Sequence, residues 1–235
     1  AVLTSATDSQ QSETVFYLKL AEKRFSSFLD KSYLKNIKVT PIVKHFKVFS
    51  EVSEVANKNG ADIIIMGSHG ASGIKEALVG SNTEKVVRHS NIPVLVVKHS
   101  PILMEFENVV FACDFSEEAT KAYLNACKML NGLNSKIHLV YVNLPNNNFK
   151  SSMEIEKRVA EFLKAADGSI DRMKDVTYVS DYSIEQGVLN FSNLIGADLI
   201  AVATHGRRGL AHFFEGSISE DIANHSTLPV MTFKI

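Results

Sequence analysis

The chain has 235 residues, 45% of them hydrophobic and 22% charged, with a formal net charge of −1. That composition is globular rather than disordered, and the length suits one large domain or two of ordinary size. Near-zero charge removes the electrostatic case for a nucleic acid or an anionic membrane as partner, and no apolar run is long enough to span a bilayer. The opening AVLTSATDSQQSE lacks the basic and apolar regions of a signal peptide. Cys113 and Cys127 fit no CxxC or metal spacing, so they are expected to be reduced, packed thiols of a cytoplasmic protein.

Helical periodicity runs over about residues 14–30, and IKVTPIVK (37–44) reads as a strand. SEVSEVANKNG (50–60) is a helix stopped by glycine, and ADIIIMG (61–67) is a buried strand. A glycine-spaced loop follows, then a helix from Ser81, then the proline-led strand NIPVLVVK (91–98). Further on, NVVFACD (108–114) is a strand, and SEEATKAYLNACKMLNGL (116–133) is a helix with Ser116 as N-cap. KIHLVYVN (136–143) is a strand, EIEKRVAEFLKAADGSI (154–170) a helix and DVTYVSD (175–181) a strand. IEQGVLNFSNLIG (184–196) is a helix, ADLIAVATH (197–205) a strand, SISEDIANHS (217–226) a helix and LPVMTFKI (228–235) the last strand. Strands alternating with helices predict a doubly wound parallel sheet.

The pattern occurs twice. Residues 60–98 align without a gap on 196–234 at an offset of 136, with 15 of 39 positions identical. Upstream, EKRFSSFL (22–29) matches EKRVAEFL (156–163). The chain therefore divides into two copies of one α/β unit, residues 1–103 and 104–235. The first copy lacks strand one, helix one and strand two, because the partner of Asp114 would fall before residue 1. Those pieces are expected in a separate segment or from another chain.

Both copies place glycines behind strand four: Gly67-x2-Gly70-x9-Gly80-Ser81, and Ala203-x2-Gly206-x9-Gly216-Ser217. The spacing is neither a GxGxxG fingerprint nor a P-loop. Glycine nevertheless lets backbone N–H groups approach an anion, and such a loop leaves the carboxyl end of a parallel strand, where ligands of open sheets sit. SNTE (81–84) and SISE (217–220) are S-x-x-E capping boxes. They would leave the amides of Asn82 and Thr83 facing outward at a helix N-terminus, which favours anions. His69 and His205 have no legible acid or nucleophile beside them and read as loop hydrogen-bonding groups. Arg207 and Arg208 could meet phosphate or water equally well.

With that glycine spacing and FACDFSEEATKA (111–122), the chain resembles the universal stress protein family, as a tandem member, over essentially its whole length. The resemblance implies open, Rossmann-like parallel sheets in strand order 3-2-1-4-5, with strand five pairing between the halves or across a homodimer. It implies ATP, accompanied by Mg²⁺, as cofactor. Phosphates would lie on the glycine loop, and adenosine against an aspartate ending strand one and an apolar residue ending strand two. In the first half Met66, Gly67, Gly70, Gly80, Ser81, Asn82 and Thr83 match the nucleotide motif. In the second half Asp114, Val142, Gly206, Gly216 and Ser217 match it, with Ala203 in place of the first glycine and Glu215 next to Gly216. The implied role is a nucleotide-responsive stress protein with at most slow ATP hydrolysis or autophosphorylation, since no paired acid and base is legible. A tandem scaffold that binds protein partners without nucleotide is the alternative.

Overall fold

The computed structural model describes residues 15–16, 19–26, 28–42, 50–68, 81–98, 105–204 and 218–235, with backbone alone for 50, 81 and 218–220. The chain divides into two compact units, residues 1–47 and 48–235. In the first, helix α1 covers 15–16, 19–26 and 28–29, and a 3-10 turn covers Ser32–Leu34. The strand expected over 37–44 does not form across 37–42, its described part, which is exposed coil. A strand persists only where a neighbour accepts and donates its backbone hydrogen bonds, and β-branched composition cannot replace that neighbour.

Among the described residues the second unit holds a seven-stranded sheet. Its helices are α2 (Ser50–Lys58), α3 (Ser81–His89), α4 (Thr120–Gly132), α5 (Ser152–Asp167), α6 (Ile184–Leu194) and α7 (Ile218–His225). Its strands are β1 (Ile64–Gly67), β2 (Val94–Val97), β3 (Asn108–Ala112), β4 (Lys136–Asn143), β5 (Val176–Ser180), β6 (Leu199–Thr204) and β7 (Val230–Lys234). They lie in the order β1-β2-β7-β6-β3-β4-β5, and every pair is parallel except β2 with β7. Counting β3 to β7 as strands one to five of the second copy, the order is 3-2-1-4-5. The strand-five pair β2–β7 joins the two copies in one sheet.

The central strands β3 and β6 read as apolar runs because helices cover both faces. On one face, α4 and α5 press Tyr123, Leu130, Val159 and Leu163 onto Phe111, Leu139 and Leu199. On the other, α6 and α7 set Val188, Phe191 and Ile222 against Val110, Val140 and Ile200. Alternation along β3 and β6 assigns successive residues to opposite faces, and each large side chain buried this way stabilises by about 1.5–3 kcal/mol. Helices α2 and α3 cover β1 and β2 through Val52, Val86 and Val87. They lie on the α6/α7 side, because Val96 stands opposite Val230 in the β2–β7 register. The other face of β1 leaves Ile65 62% exposed.

Local signals explain the helix ends. Ser151 and Glu154 form a reciprocal capping box on α5, an S-x-x-E pattern legible in the sequence. Gly60 and Gly196 follow α2 and α6 at φ 64° and 63°, a left-handed conformation that costs L-residues. A Cβ at either would meet nothing within 4 Å. Gly196→Ala is therefore expected to lose only the conformational component, about 1–2 kcal/mol, measured by urea unfolding.

Burial pushes the Cys113 thiol up to about 12 from its model-compound value of 9.0. Below that ordinary value the thiol is protonated in both folded and unfolded chains, so its contribution to stability is intact. As pH rises through 9 and beyond, the unfolded chain releases this proton while the folded chain keeps it, and stability falls with a slope that approaches about 1.4 kcal/mol per pH unit. Between pH 9 and 10 this slope should appear in denaturant unfolding, and Cys113→Val should flatten it.

Candidate functional site

Strand β3 is the switch point of the second half: β4 lies on one side of it and β6 on the other. Crossovers leaving in opposite directions open a crevice outside the carboxyl ends of these strands. Asp114 stands just beyond the end of β3. Its Oδ1 accepts from the Ser116 N–H at 3.0 Å and from the Ser116 hydroxyl at 2.8 Å. Its Oδ2 lies 3.7 Å from Nη2 of Arg158, on α5. These two side chains are 51% and 42% exposed, so the ion pair adds at most about 1 kcal/mol and serves mainly to orient the carboxylate. Ser116 also caps the turn ahead of α4, its hydroxyl accepting from the Ala119 N–H at 3.4 Å.

Phe115 sets the direction of this turn. Its φ of 51° is an outlier for a bulky side chain, a conformation that persists only where the surroundings impose it. The ring is 2% exposed, edge-on to Phe162 at 5.3 Å and tilted against Tyr141 at 6.3 Å. Its N–H donates to the Cys113 Sγ at 3.2 Å, and its carbonyl accepts from Nε of Arg158 at 3.3 Å. With Phe115 buried beneath, the Asp114 side chain stays exposed beyond the carboxyl end of β3.

Val142, near the end of β4, is partly buried against the α6 side. Gly187 of α6 approaches it so closely that a Cβ there would sit 2.7 Å from Val142 Cγ1. Ala203, near the end of β6, turns its methyl toward the α4/α5 core.

In the first half, the Thr83 hydroxyl donates to the Gly67 carbonyl at 2.9 Å. Thr83 is 3% exposed, so its side chain stitches the first turn of α3 to the end of β1. Asn82 beside it is exposed, and Met66 is half-buried against the α2/α3 cluster. Ser81 opens α3, and Glu84 accepts from Arg88 at 2.8 Å one turn later. Because β2 runs antiparallel to β7, the carboxyl end of β1 points to the opposite end of the sheet from those of β3, β4 and β6. The two candidate sites therefore face opposite ends.

Gly70, Gly80, Gly206, Gly216 and Ser217 lie outside the described residues, as do His69, His205, Arg207, Arg208 and Glu215. Among the described residues no three His, Cys, Asp or Glu side chains cluster to hold a metal, and no helix is long and apolar enough to cross a membrane. Arg158 and Gly187 are site neighbours that the sequence reading did not single out. Arg158 carried a signal, since EKR recurs at 22–24 and 156–158; Gly187 carried none.

The model of the universal stress protein family matches residues 2–98 and 105–234. Universal stress protein Mb2028c of Mycobacterium bovis is 26% identical over 192 residues, 74% of this chain and 62% of that protein. Universal stress protein MJ0577 of Methanocaldococcus jannaschii is 58% identical over 48 residues, 20% of this chain and 30% of that protein. The chain thus spans less than two thirds of the length of these curated relatives. A solved universal stress protein from Archaeoglobus fulgidus superposes with a TM-score of 0.65 at 25% identity, covering 92% of this chain and 76% of that one.

Proposed function

Because the chain belongs to the universal stress protein family, we propose that it binds an adenine nucleotide in the crevice outside β3, β4 and β6. In this reading the repeats run 1–103 and 104–235, and Asp114 receives the ribose hydroxyls. Val142 lines the adenine side, and Gly206, Gly216 and Ser217 receive the phosphates with any accompanying Mg²⁺. Met66, Gly67, Gly70, Gly80, Ser81, Asn82 and Thr83 form the corresponding phosphate side of the first half, with Thr83 contributing through its amide. The observation that carries the reading is the exposed Asp114 carboxylate at the switch point, held in place by Ser116 and Arg158. The function is binding and signalling of nucleotide state, without efficient turnover.

The second reading, a tandem scaffold for protein partners, is favoured by the fact that both oxygens of Asp114 already have partners within the chain. Denaturing the purified protein and analysing the supernatant by mass spectrometry separates the two. Released adenine nucleotide, with a melting temperature that rises on adding ATP, supports binding. Absence of both overturns it and leaves the scaffold.

A further inference from the structure

The seam between β2 and β7 has local two-fold symmetry. In the antiparallel register Leu95 stands opposite Met231, with Val94 opposite Thr232 and Val96 opposite Val230. Positions 95 and 231 are equivalent in the 136-residue repeat, so the axis passes through one pair of equivalent residues. Every contact near it should then occur twice, with the halves exchanged.

One such contact does. Lys98, just after β2, donates from Nζ to the carbonyl of Asn224 in the last turn of α7. Lys234, at the end of β7, donates from Nζ to the carbonyl of Arg88 in the last turn of α3, at 3.4 Å. Lys98 is equivalent to Lys234, and Arg88 to Asn224. Each lysine therefore leaves its own strand and reaches the last turn of the other half's helix. The last carbonyls of a helix have no intrahelical donor and carry the negative end of its dipole, so an ammonium there is doubly suited. Partial burial lowers the pKa of Lys98, which fits an ammonium drawn in from water toward a carbonyl.

We propose that Lys98 and Lys234 are reciprocal positioning residues, each capping and aligning the loop-following helix of the opposite half. The halves are then interdependent: α7 is anchored from β2 and α3 from β7. This inference concerns the helices and does not depend on nucleotide binding.

The test is amide hydrogen exchange on the full chain carrying Lys98→Met or Lys234→Met, substitutions that keep the apolar stem and remove the donor. For Lys98→Met, exchange should rise about 10-fold over Ala223–Ser226 of α7 and its end while α3 is unchanged. For Lys234→Met, the rise should appear over Val87–Ser90 with α7 unchanged. Lys98→Arg, which retains a cationic donor, should restore most of the protection. A crossed pattern supports the proposal. Changes confined to the helix of the mutated half, or no change in either helix, overturn it, as does Lys98→Arg behaving like Lys98→Met.

Discussion

Phe115→Ala is expected to lower the unfolding free energy by about 3–5 kcal/mol, the largest effect of any substitution near the crevice. The ring fills the space between Tyr141 and Phe162, and Phe162 in turn meets Tyr123 edge-on at 5.2 Å. Removing it empties the centre of the α4/α5 face while leaving an L-residue at φ 51°. Phe115→Gly separates packing from backbone. Glycine adopts that conformation freely, so the glycine variant should be more stable than the alanine variant by about 1 kcal/mol, the reverse of their usual order in regular structure. Urea unfolding of the three proteins measures both differences. An alanine variant equal to or more stable than the glycine variant would show that the left-handed turn stores no strain.

On the proposed function, Asp114→Ala is expected to weaken ATP binding by about 10- to 100-fold, the range for loss of hydrogen bonds to a charged group. Stability should change by less than about 1 kcal/mol, because Ser116 and Arg158 then turn to water. Isothermal titration and denaturant unfolding of the same preparation give the two numbers. Arg158→Met isolates orientation from charge: the carboxylate stays but loses the guanidinium holding it, so a smaller fall in affinity is expected. Wild-type affinity in Asp114→Ala would place any nucleotide elsewhere, with the β1–α3 loop of the first half as the next place to look.

These two residues, adjacent in sequence, differ in how legible they were. Asp114 ends an apolar run and precedes a serine cap, and polar residues at that junction can be found from pattern alone. Nothing in the sequence marks Phe115, because its left-handed backbone depends on rings from β4 and α5 that are distant in sequence. The same division holds for Thr83. The helix start it occupies was readable, whereas the donation of its hydroxyl to Gly67 required β1 and α3 to be in place. It holds again at 37–44, where β-branched residues signalled a strand, but no neighbouring backbone pairs with its described part.

The sequence by itself determined the repeat and the alternation of strands and helices, and it carried the resemblance to the family, because periodicity and motif spacing are local and survive without coordinates. Only the tertiary structure decided that strand five pairs between the halves of this chain, as β2 with β7, that the candidate sites face opposite ends, and that Lys98 and Lys234 each reach the other half's helix. Those properties follow from register and direction across a seam. Pairings between residues more than a hundred positions apart leave no mark on local composition.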